Sequence, residues 1–225
     1  MLWFGRRYKC ILCNKYYSIK QTRYICKGIG ICDDCYNEVK TKGDGTYEAK
    51  PPVEMVVSPF EYAGNLKKTV KLLKFGGQRL YGSVLGMMMS DALLHKEKLR
   101  GFDMIVPVPL HGTRLKERGY NQSEFLSEEL SKELEVPLIT DAIFRVRDTK
   151  RQSGLARQER VENVKSAFYA AESAVKAKNI LLVDDIFTTG ETAKACGNAL
   201  KDAGADRVIC VALCKTPYKE RIILR

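Results

Sequence analysis

The stretch ILLVDDIFTTGET, residues 180–192, decides the fold that we expect for this chain. It predicts a buried strand, two adjacent acids, and a Thr/Gly loop that leads into a helix. At the carboxyl end of a parallel strand, the N–H groups of such a loop and of the helix N-terminus point at one spot, which suits a phosphate dianion. Gly190 would let the backbone approach that phosphate closely. The stretch therefore predicts a phosphate site at the edge of an α/β sheet.

The two acids indicate what else the pocket holds. Two carboxylates beside a phosphate would repel the ligand unless they face hydroxyl groups or a metal ion. We therefore expect Asp184 and Asp185 to accept hydrogen bonds from a ribose diol. The chain has no GxxxxGK[ST] pattern and no GxGxxG after a strand, so the pocket is not one of those nucleotide-binding loops. A strand end with an Asp-capped helix would explain one Asp and one Thr, but not the whole run.

The rest of the chain favours an α/β fold with a doubly wound parallel sheet. Runs such as ILLV and VICVAL are apolar at every position, which is typical of strands buried on both faces of a parallel sheet. Asn121 is predicted to cap the helix that follows it. The predicted strands are residues 54–62, 104–107, 143–147, 180–183 and 207–213, and the predicted helices are residues 65–74, 78–95, 122–135 and 191–203.

Four cysteines near the N-terminus, Cys10, Cys13, Cys32 and Cys35, form two CxxC pairs that are separated by 18 residues. This spacing is typical of a tetrahedral zinc site in which each pair supplies two sulfurs. An iron–sulfur cluster and the absence of any metal are the alternatives. Because the site would have no open ligand position, the zinc would be structural and would fold a module too small to have its own core. Cys26 is an extra thiol that could replace a member of the second pair.

Residues 41–52, TKGDGTYEAKPP, read as a linker because they combine two glycines, two adjacent prolines and mixed charge. We therefore expect a zinc-ribbon-like module over residues 1–42, a linker over residues 43–52 and the α/β domain over residues 53–225. The module either binds nucleic acid through its basic side chains or docks on the α/β domain.

The composition bears on partners and location. A formal net charge of +11 over 225 residues indicates a polyanionic partner such as nucleic acid or an organic phosphate, with a merely soluble basic surface as the alternative. We find no signal-peptide pattern and no apolar run long enough to span a bilayer, so we expect a cytoplasmic protein with no membrane insertion. Eight cysteines in such a protein favour metal binding or core packing over disulfides.

Two basic segments add to the predicted anion-binding surface. Lys67, Lys71 and Lys74 lie on one face of the predicted helix 65–74 and would form a basic track for DNA. Residues 149–164 form a basic polar stretch between two predicted strands, which is typical of a lid that orders over a charged ligand. A plain exposed helix over residues 154–164 is the alternative.

The run VDDIFTTGET resembles the phosphoribosylpyrophosphate motif of type I phosphoribosyltransferases. Together with PVPLHGTRLKERGYNQ (residues 107–122), LKFGG (73–77), TKRQSGLARQERVENVKSAF (149–168) and the CxxC pairs, it is similar to the ComF family of bacterial proteins over essentially the whole chain. Tyr120 is a mild departure, because the family usually has Phe in RGFNQ. The resemblance implies a five-stranded parallel sheet of the type I phosphoribosyltransferase kind and a magnesium-dependent site for 5-phosphoribosyl-1-pyrophosphate (PRPP).

The resemblance also implies roles for individual residues. Asp184 and Asp185 would hold the ribose hydroxyls and carry catalysis, and the pyrophosphate would lie by the loop after an earlier strand. The residues implied to surround the 5′-phosphate end of the ligand are Ile186, Phe187, Thr188, Thr189, Gly190, Glu191 and Thr192. Those implied at the pyrophosphate end are Val108, Pro109, Arg114, Lys116 and Arg118.

Two functions of different classes follow. The first is a phosphoribosyltransferase with an unidentified acceptor that helps to handle internalised single-stranded DNA during natural transformation, as the resemblance to the competence member implies. Zinc would be its structural metal and Mg²⁺ would enter with PRPP. Its partners would be PRPP, single-stranded DNA and other DNA-uptake proteins such as a helicase. The second is a catalytically inactive DNA-binding or regulatory protein that uses the sugar-phosphate pocket as a sensor.

Overall fold

Twelve strands and seven α-helices lie within residues 6–39, 45–48, 51–146 and 167–217, which are the parts of the chain that this computed structural model describes. The strands are β1 (Arg7–Cys10), β2 (Tyr16–Ser18), β3 (Thr22–Cys26), β4 (Ile29–Cys32), β5 (Thr46–Glu48), β6 (Met55–Val57), β7 (Phe60–Glu61), β8 (Met104–Pro107), β9 (Ile143–Arg145), β10 (Phe168–Ala170), β11 (Asn179–Phe187) and β12 (Arg207–Lys215). The helices are α1 (Asp33–Val39), α2 (Gly64–Phe75), α3 (Leu80–Leu93), α4 (Gly112–Arg118), α5 (Gln122–Leu134), α6 (Glu172–Val175) and α7 (Glu191–Asp202).

The central sheet has six strands in the order β5-β6-β12-β11-β8, with β7 also paired to β12. All pairings in it are parallel except that of β5 with β6, which is antiparallel and lies at the edge. The predicted parallel α/β sheet is therefore confirmed. Its two central strands, β11 and β12, are the apolar runs that the sequence marked as buried on both faces.

The two faces of the sheet are covered by different helices. Along β11, Leu181 and Val183 belong to one apolar cluster together with α2, α3 and α5. Ile180 and Leu182 belong to a second cluster, which contains α7 and the small sheet of β9 and β10. This alternation follows from the period of two along a strand, and it makes the fold doubly wound as predicted.

Pairing between β11 and β8 positions the functional end of the sheet. Val183 is the register partner of Pro107, so both strands reach their carboxyl ends side by side. The N–H of Val108 donates to the carbonyl of Val183 at 2.8 Å. The loop after β8 therefore begins next to Asp184.

Helices α3 and α5 approach closely because α3 carries glycine at the contact. A Cβ on Gly82 would lie 2.6 Å from the Cβ of Phe125, and one on Gly86 would lie 2.8 Å from the Cγ of Glu129. Distances this short cannot be accommodated without moving the helices apart. The two glycines thus set the separation of the layer that covers this face of the sheet.

The N-terminal module docks on the α/β domain. It forms a four-stranded sheet in the order β2-β1-β4-β3, followed by α1. Its Ile11, Leu12 and Ile31 share one apolar cluster with α2 and α3. Thr69 of α2 donates its hydroxyl hydrogen to the carbonyl of Ile11 at 3.0 Å, and the hydroxyl of Tyr24 donates to Asp91 at 2.7 Å. The two predicted roles for the module were binding nucleic acid and docking on the α/β domain, and these contacts show the docking.

Three predictions of local structure need correction. Residues 46–48 of the predicted linker form β5, because their backbone pairs with the edge strand β6. The predicted strand 143–147 is the shorter β9, and it pairs antiparallel with β10 outside the central sheet. The predicted strand 54–62 is divided into β6 and β7, which both pair with β12. The predicted lid, residues 149–164, lies outside the described residues.

No helix among the described residues combines the length and the apolar character that a membrane span needs.

The predicted helices 65–74, 78–95, 122–135 and 191–203 are confirmed as α2, α3, α5 and α7 to within a few residues at each end. Asn121 caps α5 as predicted, because its side-chain oxygen accepts a hydrogen bond from the N–H of Ser123 at 3.1 Å.

A single methyl group at the α3–α5 contact tests this packing. We expect Gly82→Ala to lower the free energy of unfolding by about 1–3 kcal/mol, because overpacking outweighs the better helix propensity of alanine. Gly112→Ala in α4 is the matched control, since a Cβ there meets nothing within 4 Å. Urea unfolding of both variants measures the difference. Equal stability of Gly82→Ala and wild type would contradict the close approach.

Candidate functional site

Asp184 and Asp185 lie near the carboxyl end of β11 and face opposite sides of the sheet. As successive strand residues, their side chains alternate: Asp185 follows Val183 toward α2 and α3, and Asp184 follows Leu182 toward α7. The carboxylate of Asp184 accepts a hydrogen bond from the N–H of Asp185 at 2.8 Å. The predicted pair is thus adjacent, but its two members are approached from different directions.

A buried ion pair holds Asp185. The Nζ of Lys74 lies 2.7 Å from Oδ2 of Asp185, and the two side chains are only 19% and 4% exposed. Among the described residues, Oδ2 has no well-aligned hydrogen-bond donor, so the contact is electrostatic rather than a directed hydrogen bond. Removing a carboxylate from water is costly, and Lys74 supplies the compensating charge.

This ion pair corrects the prediction that Lys74 forms a DNA track with Lys67 and Lys71. Lys67 and Lys71 are exposed along α2, whereas Lys74 turns inward at the end of the helix. The sequence could not show this, because all three lysines occupy similar positions of the helical repeat and only the tertiary contact with Asp185 separates them. Lys74 therefore belongs to the pocket and not to the open surface.

The electrostatics of the two acids differ. Burial and the charge of Asp185 raise the pKa of Asp184 from its ordinary value to about 7, while Lys74 and the N–H of Asp185 oppose the shift. Asp184 is therefore the member of the pair that can gain or lose a proton near neutral pH.

The Thr/Gly loop leads from β11 into α7 as predicted. Ile186 and Phe187 end the strand, Thr188, Thr189 and Gly190 form the loop, and Glu191 and Thr192 begin the helix. Gly190 is the N-terminal cap of α7 and has a φ of 84°, in the left-handed region that favours glycine. A Cβ at that position would also lie 2.9 Å from the ring of Phe187. The loop therefore leads directly into the first turn of α7, where backbone N–H groups have no partner within the helix.

A cationic cleft lies on the Asp185 side of the sheet. It has a volume of about 560 Å³ and is formed by the end of α2, by α4 and by the segment that follows α4. The residues that line it are Lys74, Phe75, Gly77, Arg114, Glu117, Arg118 and Tyr120. Three of these side chains carry positive charge and one carries negative charge, so the cleft attracts anions.

Helix α4 directs two of its three predicted basic residues into this cleft. Arg114 and Arg118 are four residues apart and share one face of the helix. Lys116 lies between them on a different face, is exposed, and does not line the cleft. Burial lowers the pKa of Arg118, and the nearby charge of Asp185 opposes that shift. Arg118 also donates to the side-chain oxygen of Gln122.

The loop after β8 is fixed mainly by Asn121. The Nδ2 of Asn121 donates to the carbonyl of Val108 at 3.0 Å, while its Oδ1 caps α5. The side chain of Val108 is buried, and the N–H of Val108 donates to the carbonyl of Val183. Val108 therefore supports the loop, and its side chain does not contact a ligand. Pro109, the next residue, is partly exposed. The sequence identified the cap but not the second bond, which joins two segments 13 residues apart.

The four cysteines of the two CxxC pairs come together as predicted. The sulfurs of Cys10, Cys13, Cys32 and Cys35 all lie within 4.8 Å of one another, and those of Cys13 and Cys32 are 4.0 Å apart. Tetrahedral zinc with Zn–S bonds of about 2.3 Å places its sulfurs just under 4 Å apart, so the cluster fits zinc after a small contraction. Cys26 is not part of this group. The cluster could therefore hold a metal with four thiolates and no open position.

Two contacts prepare the sulfurs for a metal. The N–H of Cys32 donates to the sulfur of Cys10 at 3.4 Å, and the hydroxyl of Tyr17 lies 3.6 Å from the sulfur of Cys13. Although burial raises it, hydrogen bonds from the N–H of Lys15 and from Tyr17 bring the pKa of Cys13 down to about 7. Such bonds favour the thiolate, which is the form that binds metal.

Comparison with known proteins gives three kinds of match. The family model described as "Phosphoribosyl transferase domain" matches residues 121–222. The DNA utilization protein YhgH of Escherichia coli K12 is 34% identical over 169 residues, which cover 74% of this chain and 74% of the relative. Competence protein F of Haemophilus influenzae is 29% identical over 224 residues, which cover 89% of this chain and 94% of the relative.

A solved structure, the glutamine phosphoribosylpyrophosphate amidotransferase from Bacillus subtilis, is 20% identical, with a TM-score of 0.41 over 58% of this chain and 25% of that one. The strand order and the domain match together show a type I phosphoribosyltransferase fold with a small cysteine module at its N-terminus.

Metal analysis tests the cysteine cluster. We expect about one zinc per chain, and we expect Cys10→Ser or Cys32→Ser to lower the zinc content because each removes one of four ligands. Cys26→Ser is the matched control and should keep the metal, since Cys26 lies outside the cluster. Elemental analysis of the three purified variants decides. Iron in place of zinc, or full zinc content in a Cys10→Ser, Cys32→Ser double variant, would refute the assignment.

The ion pair of Lys74 can be tested by its effect on stability. We expect Lys74→Met to lower the free energy of unfolding by about 3–5 kcal/mol, because the buried carboxylate of Asp185 then has no counter-charge. Adding Asp185→Asn should recover much of that loss, since the remaining group is neutral. A double-mutant cycle from urea unfolding measures the coupling. Additive effects of the two substitutions would show that the pair is not formed.

Proposed function

The chain belongs to the ComF family, and from that membership we propose that it binds PRPP with magnesium at the carboxyl end of β11. One observation carries the proposal: two adjacent acids lie near the carboxyl end of a buried parallel strand, one of them beside a cationic cleft, and the strand leads through a glycine turn into a helix N-terminus. In this arrangement the acids can accept hydrogen bonds from ribose hydroxyls, the helix N-terminus can bind a phosphate, and the cationic cleft can bind a diphosphate.

The ribose would bind across the carboxyl edge of the sheet, where a ligand could reach both acids. Asp185 is paired with Lys74, while Asp184 has to release its proton to accept hydrogen bonds from the ribose hydroxyls. Ribose hydroxyls that donate to Asp185 would replace part of its interaction with Lys74. The ammonium group of Lys74 would then be free to bind the diphosphate. Lys74 would thus exchange one anion for another without leaving the pocket.

The two phosphate ends of the ligand would bind to different elements. The 5′-phosphate fits the Thr188–Gly190 loop and the first turn of α7, where N–H groups and the helix dipole favour an anion. The diphosphate fits the cleft, where Arg114 and Arg118 project from α4 on the same side of the sheet as Lys74. The guanidinium groups can bind phosphate oxygens in a bidentate manner.

Magnesium fits this site as an ion carried by the ligand. Among the described residues, the four cysteines are the one group of three or more possible ligands, and the two aspartates face opposite sides of the sheet. Mg²⁺ commonly binds through substrate phosphates with few protein ligands, so a preformed cage is not required. When bound, the ion would neutralise charge on the diphosphate.

If transfer occurs, pyrophosphate would leave C1 of the sugar through a transition state in which positive charge develops on the ring. Asp184 and Asp185 would fix the ribose, and Arg114, Arg118 and Lys74 would stabilise the charge on the leaving group. No protein nucleophile is needed for such a step. The acceptor is the one component that no group of this pocket identifies.

The relatives give the cellular setting that we propose. They are named as DNA utilization and competence proteins, and we infer that this chain acts in the cytoplasm on internalised single-stranded DNA during natural transformation, together with DNA-uptake proteins such as a helicase. The exposed lysines of α2, Lys67, Lys68 and Lys71, would contact the phosphate backbone.

A regulatory protein that binds DNA and uses the pocket only as a sensor is the second function. The ion pair of Lys74 and Asp185 favours this second function. Because the charge of Asp185 is balanced by Lys74 without a ligand, the empty pocket has a defined conformation that would differ from the one with ligand bound. Incubation of the protein with Mg²⁺, PRPP and a panel of bases and amines separates the two functions. Pyrophosphate release that depends on one acceptor would identify the enzyme, whereas binding without release would identify the sensor.

The aspartates provide the direct test of ligand binding. We expect Asp184→Asn and Asp185→Asn each to weaken the affinity for PRPP by about tenfold or more, because each loses a charge-assisted hydrogen bond worth about 1.5–3 kcal/mol. Isothermal titration with PRPP and Mg²⁺ measures the affinities. Wild-type affinity in the double variant would refute the proposed pocket.

The same titration at several pH values provides the control for Asp184. Because the pKa of Asp184 is raised to about 7, the empty protein carries a neutral Asp184 below that pH and an ionised one above it. Affinity of the wild type should therefore rise from about pH 6 to pH 8. The Asp184→Asn variant should lose that rise, and a rise of the same size in both proteins would assign it to another group.

A further inference from the structure

The rim of the cationic cleft carries an aromatic ring that PRPP does not require. Phe75, the last residue of α2, is 78% exposed and yet lines the cleft. A phenylalanine that exposed loses most of the benefit of burial, and PRPP has no aromatic or apolar group to cover it. The ring therefore indicates a second ligand group at the mouth of the cleft.

One face of this ring is already occupied. The guanidinium carbon of Arg118 lies 5.1 Å from the ring centroid of Phe75, which is a cation–π contact. The high exposure of Phe75 leaves the rest of the ring accessible to a planar group from outside. Arg118 thus fixes the orientation of the ring and places a positive charge directly beside it.

Helix α2 leads basic residues toward the ring. Lys67, Lys71 and Phe75 recur every four residues, so they form one stripe along the helix with about 6 Å between successive members. Both lysines are exposed. A chain of phosphates that follows the stripe would therefore bring its next unit to Phe75 and Arg118.

The depth of the cleft separates this rim from the ribose site. Lys74, one residue before Phe75, is mostly buried against Asp185, whereas Phe75 is exposed. At the end of α2, Lys74 thus lies in the deep part of the cleft and Phe75 lies at its mouth. Leu72, one turn earlier on α2, is also exposed, although it does not line the cleft.

We propose that Phe75 is a stacking platform for a base of single-stranded nucleic acid whose backbone follows Lys67 and Lys71 of α2. A basic path with an aromatic ring on it is the arrangement by which proteins bind single strands without reading their sequence. A double helix would not supply the ligand, because its bases are already stacked and paired. The inference rests on the proposed DNA-handling function and names the element that performs it.

Two oligonucleotides of equal length separate stacking from charge. Oligo(dT) and an abasic oligonucleotide carry the same phosphates, so we expect the wild type to bind oligo(dT) about 5- to 100-fold more tightly if one base stacks on Phe75. Phe75→Ala and Phe75→Leu should both lose this preference. Leucine keeps apolar support for Arg118 but has no π face, which controls for a displaced guanidinium group.

Three further proteins sharpen the result. Phe75→Trp should keep the preference, and its added indole fluorescence should be quenched by oligo(dT), which is readable because the native chain has a single tryptophan. Phe144→Ala is the matched control, since Phe144 is an exposed phenylalanine on β9 that does not line the cleft. Lys71→Ala should weaken binding of both oligonucleotides and flatten the dependence of log affinity on log salt by about one unit, with the preference retained.

Each remaining outcome overturns the proposal. If wild type binds both oligonucleotides equally, no base stacks, and if Phe75→Ala retains the preference, the platform lies elsewhere. If neither oligonucleotide binds at low salt, the DNA-handling part of the proposed function falls as well. Titration of wild type and of the double aspartate variant with PRPP reports on the sugar-phosphate pocket independently, so the two failures can be told apart.

Discussion

Burial of β11 on both faces is the constraint on which the rest of the structure depends. A strand covered by α3 and α5 on one side and by α7 on the other can carry polar groups only where it leaves the core. In β11 that point is the pair Asp184 and Asp185. Parallel pairing with β8 then brings the loop that precedes α4 to the same edge, because parallel strands end together. The position of the candidate site is a consequence of the sheet and not of the loops.

The acids at this edge create an electrostatic conflict that the fold resolves locally. Lys74 pairs with Asp185, while among the described residues no ion pair forms with Asp184, whose pKa is raised by burial and by the charge of Asp185. A buried ion pair gives little net stability, because desolvation offsets most of the attraction. An apolar pair of similar volume would serve the core as well or better. Retention of charge there is consistent with a pocket in which the ion pair is exchanged for contacts with a ligand.

The sequence was informative wherever local chemistry decides the structure. The apolar run before Asp184, the glycine turn at Gly190 and the cap at Asn121 are each determined by neighbours in the chain, and each was predicted. The roles of Lys74 and Phe75 were not predictable in this way, because α2 reads as an ordinary helix with a basic face. Lys74 differs from Lys67 and Lys71 only because the sheet behind α2 supplies Asp185. Phe75 is distinguished only by Arg118 of α4, which lies over its ring. The edge strand β5 was missed for the same reason: the glycines, prolines and charges on either side of it indicate a linker, while its backbone pairs with β6.

The cysteine module is connected to this site through α2. Ile11, which lies between Cys10 and Cys13, is buried in the same apolar cluster as Leu66, Val70 and Leu73, and its carbonyl accepts a hydrogen bond from Thr69. The opposite end of that helix carries Lys74 and Phe75. A helix of 12 residues is a stiff element, so a change in how its first half is packed is carried to its last turn. A metal held by the four cysteines would order the loop from Cys10 to Cys13 and, through the packing of α2, would help to position Lys74 against Asp185.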